Sequence, residues 1–305
     1  MRFQQENPPR FDTCPFCDEQ PRLRKSNNGY LRCPQCGLEV AEHCPVSGAV
    51  TNEASDHSKK STWLARVQSR YASRWIGNRD LVDVGCGIGS FLEAAMKRKQ
   101  LGKCYGVEVD EVSVRAAINR GISVVNSLPM EQRHRPTCYT FWHSAEHFPP
   151  QELRELLCEI SPSAGANADN IVIIAVPNSD AAAYREHGQL FAFFDIQHHF
   201  VQFNYSSLEG LLQSCGFEVV SRRGIPIYNA FSLFQTILNL RMPHNHLYQQ
   251  IRREGQSLSV IQTVRVAKVL ITEVVPLVKL VLAEFNKETS SCITLVARTK
   301  YQGMS

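Results

Sequence analysis

Leu81-Val82-Asp83-Val84-Gly85-Cys86-Gly87-Ile88-Gly89-Ser90 is the stretch that decides the fold. A strand ends at Val84, three glycines follow at alternate positions, and a helical pattern begins at Phe91. Glycines at such a turn let the backbone reverse sharply and approach a ligand closely. The helix N-terminus behind them offers unpaired N–H groups. The spacing is GxGxG, one residue shorter than the GxGxxG of dinucleotide sites. Asp83, inside the strand end, would repel a pyrophosphate and attract a cationic amino group. The next strand closes on Gly106-Val107-Glu108-Val109-Asp110. A carboxylate there can accept bonds from both hydroxyls of a ribose. A purine nucleoside attached to a cationic amino acid satisfies both demands.

Outward from this loop, short apolar runs alternate with helical ones. Strands are expected over 81–84, 104–109, 122–125, 138–142 and 171–176, with helices over 91–99, 112–120 and 151–160 between them. Such alternation implies parallel pairing with helices on both faces. A helix over 206–215 meets Gly216, a glycine of the kind that ends helices, and a strand over 217–221 follows. Residues 226–289 are apolar and helical in pattern, and a last strand is expected over 292–298. The fold class is thus α/β, a doubly wound sheet.

The chain has 305 residues, of which 43% are hydrophobic and 20% charged, so a disordered chain is excluded. No charge-free apolar run approaches the roughly 18 residues of a membrane span. MRFQQENPPR at the start has no apolar signal core. The expected location is cytoplasmic. The net charge of +4 is too mild to argue for a nucleic-acid partner.

Eleven cysteines is a high count, and five fall in the first 50 residues. Cys14-Pro15-Phe16-Cys17 and Cys33-Pro34-Gln35-Cys36-Gly37 are two CxxC units separated by 15 residues. Two such units can place four thiolates around a tetrahedral Zn²⁺. The stretch between them suits a hairpin turning at Asn27-Asn28-Gly29. The pattern resembles a zinc ribbon over roughly residues 11–40. His43 and Cys44 are spare. Residues 1–50 carry six basic and six acidic side chains, a net charge of zero, which makes a poor phosphate binder. Polar residues 51–61 read as a linker, dividing the chain into a ribbon over 1–50 and a second domain over 51–305.

The glycine loop and the strands around it resemble the class I S-adenosylmethionine-dependent methyltransferases, over roughly 62–225 and the last strand. That resemblance implies a Rossmann-like, mostly parallel seven-stranded sheet and S-adenosylmethionine as cofactor. It implies that Asp83, Gly85, Cys86, Gly87 and Gly89 line the methionine end, Cys86 as a small neutral filler. Glu108 becomes the ribose-binding acid with Val109 beside it, Asn126 falls near adenine, and Asp110 caps the next helix. Phe141-Trp142-His143-Ser144-Ala145-Glu146-His147-Phe148 looks like the WHxxEH segment of one branch, which includes quinone, sugar and glycan methyltransferases. Val176-Pro177-Asn178 matches that branch, and the segment from Phe194 to Phe203 resembles its aromatic-histidine stretch. Thr137 stands where the branch usually has aspartate.

Methyl transfer from a sulfonium is an in-line displacement, and a hydroxyl acceptor must also lose its proton. Histidine suits this near neutrality. His147 and His199 are therefore the candidate catalytic bases, while His143 is expected to contact the cofactor through its backbone. The helical segment 226–289, an insertion before the last strand, either packs on the core or a second copy of the chain, or rests on an anionic membrane surface. The second reading would place the chain peripherally at the inner membrane face.

The expected function is methyl transfer to a small-molecule, sugar or lipid-linked glycan acceptor, at oxygen, with a structural Zn²⁺. An RNA methyltransferase gripping RNA through the ribbon is the first alternative, favoured by the basic stretch Lys59, Lys60, Arg66, Arg70, Arg74 and Arg79. A non-catalytic binding module is the second.

Overall fold

A computed structural model describes residues 11–26, 28–43, 62–98, 101–128, 135–161, 169–245 and 260–300. The expected linker over 51–61, with Lys59 and Lys60, lies outside these residues, as do Asn27, Cys44, Arg252 and Arg253. The chain opens with β1 (Arg24–Lys25), β2 (Tyr30–Arg32) and β3 (Glu39–Ala41), paired antiparallel in that order. The β1–β2 pair is the hairpin expected between the cysteine pairs.

Helix α1 (Thr62–Ile76) leads into β4 (Asp80–Val84), α2 (Ser90–Met96), β5 (Cys104–Val107), α3 (Glu111–Asn119), β6 (Val124–Val125) and β7 (Thr137–Trp142). Then come α4 (Pro150–Ile160), β8 (Ile171–Pro177), α5 (Ala182–His187), β9 (Val201–Gln202), α6 (Tyr205–Ser214) and β10 (Phe217–Ser221). The described helices α7 (Pro226–Asn239), α8 (Val260–Thr272) and α9 (Val274–Glu284) precede β11 (Cys292–Thr299).

Seven strands form one sheet in the order β10-β11-β8-β7-β4-β5-β6. Strand β4 runs parallel to β5 and β7, as β5 does to β6 and β7 to β8. Strand β11 is antiparallel to both neighbours. This is the doubly wound, mostly parallel arrangement the sequence predicts. Strands β4 and β8 are buried along their whole lengths, as parallel strands covered on both faces must be. Helices α1, α2 and α3 cover one face through Ala72, Ile76, Phe91, Leu92 and Ala117. Helix α4 turns Leu153, Leu156, Leu157 and Ile160, at helical spacing, onto the other face.

The N-terminal strands share that second layer. Phe16, Leu38 and Val40 join the same core as Leu157, Leu208 and Phe203. Strand β3 pairs antiparallel with β9, setting Glu39 opposite Gln202 and Val40 opposite Val201. The ring of Phe16 stacks on Phe203 at 6.1 Å. Tyr184 donates from its hydroxyl to Glu39 Oε2 at 2.7 Å, and Arg32 Nη2 donates to Asp180 Oδ1 at 2.8 Å.

The helical segment before β11 lies differently from a simple lateral insertion. Strands β8 and β10 are both antiparallel to β11, so they run parallel to each other. The chain must therefore leave β10 and enter β11 at the carboxyl edge, where β8 ends; Cys292 faces Pro177 there. Tyr228 of α7 packs beside Ala175 and Cys292 above that edge. Within the segment 226–289, expected as helical, the chain breaks between α8 and α9 at Glu273, which is buried and accepts from Arg241 Nε at 2.5 Å. Pro276 has no N–H for the carbonyl of Thr272, which favours the break. No described helix is long and apolar enough to cross a membrane.

Phe203 is fully buried between the two parts of the molecule. Phe203→Ala should lower the unfolding free energy by about 3–5 kcal/mol. Denaturant unfolding monitored by circular dichroism measures this; a loss below about 1 kcal/mol would show that the N-terminal layer does not share the core.

Candidate active site

Strand order reverses at β4: the chain proceeds to β5 and β6 on one side and to β7 and β8 on the other. Open α/β sheets bind ligands outside the carboxyl ends of the strands at such a switch point. Here the glycine loop leaves β4 and the His143–His147 segment leaves β7, so the two flank the crevice. They touch closely. Gly85 has φ 72°, and a Cβ there would meet Ser144 Cβ at 2.5 Å. The Ser144 hydroxyl donates to the Val84 carbonyl at 2.6 Å. At Gly87, φ 51°, a Cβ would find open space within 4 Å, so the loop presents bare backbone there.

Asp83 is buried and accepts from the Thr140 hydroxyl at 2.6 Å. Burial pushes its carboxyl up to about 7; the Thr140 bond opposes this and the Glu108 charge adds to it. Glu108 Oε2 accepts from Gly87 N–H at 2.8 Å, and Oε1 accepts from Val109 and Asp110 N–H at 2.8 and 3.0 Å. The carboxylate thus ties the glycine loop to the end of β5. Val109 and Asn126 are exposed at the ends of β5 and β6, Val109 at 55%. Asp110 caps α3 by accepting from Ser113 N–H at 2.8 Å. Cys86 turns inward against Gly106, as a filler would.

His143 is a non-glycine residue at φ 55°. Its N–H donates to the Ala175 carbonyl at 2.8 Å, so that backbone donor is already engaged. The ring stands against Phe193 at 5.1 Å and Tyr228 at 4.6 Å. Tyr228 in turn accepts from Gln68 Nε2 at 2.5 Å. This aromatic wall was not anticipated: Gln68, Phe193 and Tyr228 come from three distant segments, and none carries a local motif.

The two histidines of the acceptor side do come together. The rings of His147 and His199 lie 4.6 Å apart, edge to face. Glu146 stands with them, buried at 1% exposure. Its backbone carbonyl accepts from Phe200 N–H at 2.9 Å, which docks the two loops. Burial alone would push the Glu146 carboxyl up, yet the neighbouring His143, His147 and His199 hold it below the usual range. Burial, reinforced by His147, pushes His199 down to about 3, so it is neutral at physiological pH. His147 Nδ1 lies 3.1 Å from the His198 carbonyl, and His199 Nδ1 lies 3.1 Å from the Gln202 amide. That amide also meets the Tyr30 hydroxyl at 3.3 Å, which reaches in from β2. His198 itself pairs with Asp195 at 2.7 Å.

The four N-terminal cysteines converge as their spacing predicts. Cys14 Sγ lies 3.7 Å from Cys36 Sγ, and Cys17 Sγ lies 3.9 Å from Cys33 Sγ. Four sulfurs about 2.3 Å from a central Zn²⁺ would stand about 3.8 Å apart. The cluster is therefore compatible with zinc. His43 is exposed and outside the set.

A family model described as a methyltransferase domain matches residues 50–222, more than half of the chain. No curated protein matches the chain significantly. Similar solved structures include a SAM-dependent methyltransferase from Archaeoglobus fulgidus, 16% identical, covering 78% of this chain and 93% of that one, with a TM-score of 0.44. Phosphoethanolamine N-methyltransferase 2 of Haemonchus contortus, in complex with S-adenosyl-L-methionine, is 12% identical over 77% of this chain and 52% of its own, with a TM-score of 0.47. A cyclopropane synthase from Mycobacterium tuberculosis is 12% identical over 81% and 87%, again at 0.47. None is close, and the assignment rests on the sequence match. The chain belongs to the methyltransferase-domain family: it is a methyltransferase with the fold of the S-adenosylmethionine-dependent enzymes.

Proposed function

We propose that the protein transfers the methyl group of S-adenosylmethionine to a hydroxyl of a small-molecule, sugar or lipid-linked glycan acceptor. The observation that carries this reading is the pairing, across one switch-point crevice, of the Asp83/Glu108 loop with the Glu146–His147–His199 cluster. The residues present fit the cofactor. The bare backbone at Gly87 leaves room for it, and two carboxylates match a ligand with an ammonium and a ribose. When bound, S-adenosylmethionine supplies an electrophilic methyl group.

Asp83 attracts the ammonium, and the loop glycines let the backbone lie against the ligand. Glu108 accepts from the ribose. Three of its roughly four acceptor directions already serve backbone N–H groups, so a second hydroxyl has to displace one of them. The His147/His199 pair manages the proton of the acceptor hydroxyl. His143, Phe193 and Tyr228 form an aromatic wall beside it.

The four cysteines hold a structural Zn²⁺ in this reading, because a site closed by four thiolates leaves no position for chemistry. The RNA alternative is weakened by the ribbon's own pairing. Of the four described cations there, Arg32 faces Glu39 and Asp180, and Lys25 faces Glu42. A lipid-linked acceptor draws support from α8 and α9, where Val264, Ile271, Val278, Leu282 and Phe285 are exposed. Arg265, Lys268 and Lys279 are exposed on the same two helices. That surface would rest on the inner membrane face of the cytoplasm, with a second copy of the chain as the competing occupant.

Methyl-labelled S-adenosylmethionine, purified protein and cell extract test the function. Label in the lipid or small-molecule fraction supports it, and label confined to RNA overturns it. Glu108→Gln should weaken cofactor binding about tenfold or more by calorimetry, since a hydrogen bond to a charged group contributes about 1.5–3 kcal/mol. Unchanged affinity would remove the ribose role. Cofactor affinity should also fall as pH drops below about 7, where Asp83 gains a proton and loses its attraction for the ammonium. Asp83→Asn should flatten that dependence. Metal analysis should find one zinc per chain bound by the cysteines, and Cys33→Ser should release it; a wild type equally stable without zinc would exclude the structural role.

A further inference from the structure

We infer that Glu146, His147 and His199 form a binding site for one divalent transition-metal ion, separate from the cysteine cluster. Their three ligand atoms lie within 4.8 Å of one another. Two histidines and one carboxylate, with further positions open, is a donor set that suits Zn²⁺, Fe²⁺ or Co²⁺ and leaves room for an exogenous oxygen.

The hydrogen bonds of the two rings hold them in place for a metal. A backbone carbonyl can only accept, so His147 Nδ1 donates to His198 O at 3.1 Å. Its Nε2 then carries a free lone pair. Gln202 holds His199 Nδ1 at 3.1 Å and the Tyr30 hydroxyl at 3.3 Å. The amide nitrogen donates to both groups, which fixes the ring's orientation, and an ion on His199 Nε2 takes the place of the proton there, which leaves to bulk water. Metal-bound histidines almost always have their second nitrogen held as that of His147 is.

The carboxylate favours a metal too. Glu146 is 1% exposed, and among the described residues its Oε2 has no hydrogen-bond partner. Its Oε1 pairs with His143 Nδ1, at 3.5 Å. Buried carboxylates are generally paired or coordinate a cation. Ligand atoms about 2.1 Å from an ion at tetrahedral angles stand about 3.4 Å apart, so the widest pair has to close by up to about 1.4 Å. Side-chain rotation provides that.

The consequence for the acceptor rests on the methyl-transfer reading; binding of the ion does not. With an ion on the two Nε2 atoms, the histidines would act on the acceptor's proton through it and not as bases: the ion would take the hydroxyl as its oxyanion, the proton passing to bulk water. Acceptors with a second oxygen beside the reacting hydroxyl would chelate it and be preferred.

The test is a Co²⁺ titration of the full-length protein with its cysteine cluster loaded with zinc. The expected result is one further equivalent whose spectrum lacks thiolate-to-cobalt charge transfer. Glu146→Gln and His199→Gln should weaken it at least about tenfold, the least that disturbing even a metal site's outer partners does. Zinc content and unfolding midpoint, measured alongside, should be unchanged. Wild type taking up no second equivalent overturns the site, whether or not the variants fold; so does a second equivalent that both folded variants retain. Cofactor affinity in the same samples separates the two readings. Metal without cofactor binding removes methyl transfer and keeps the site, and cofactor binding without metal does the reverse.

Discussion

The reversal of strand order at β4 is the constraint on which the rest depends. Helices that connect successive parallel strands pack away to opposite faces on either side of that point. Neither covers the carboxyl ends of β4 and β7, and a crevice is left by topology alone. The glycine loop and the histidine segment are both set on its rim. The glycine loop is there because it follows β4, and the histidine segment because it follows β7. The close fit of Gly85 against Ser144 joins the two sides, so any larger residue at 85 would wedge the crevice open.

The N-terminal strands look like an appendage in the sequence and act as part of the site in the structure. Strand β9 has two residues and would be marginal alone. Pairing with β3 gives it a partner, and Tyr30 behind it reaches Gln202, which holds His199. The cysteine cluster therefore stands at the far end of a chain of contacts that finishes at an imidazole. The N-terminal strands thus position His199, and Lys25 and Arg32 are paired within the protein itself.

Much of this was legible beforehand. The strands from β4 to β8 announce themselves as short apolar runs, and the CxxC spacing announces four converging sulfurs. Asp83 and Glu108 follow from a loop whose chemistry is local. What escaped depends on contacts between distant segments. Strand β9 is too short to show periodicity, and the pairing that defines it is made 160 residues upstream. Tyr228 and Phe193 carry no signal beyond being aromatic; their role comes from the antiparallel placement of β11, which brings α7 over the carboxyl edge. The break at Glu273 is set partly by Arg241, 32 residues away.

The pairing of β3 with β9 also has a consequence for biosynthesis. Strands β1 to β3 leave the ribosome before β9, and that partner strand is made about 160 residues later. At about 5–20 residues per second, the apolar side formed by Phe16, Tyr30 and Val40 waits about 8–30 s for its cover. During that interval β3 is an open sheet edge, free to pair with another nascent chain. The cysteine cluster, complete by residue 36, can hold the early strands in register through the wait, so the order of elements along the chain makes early closure of that cluster a safeguard of assembly.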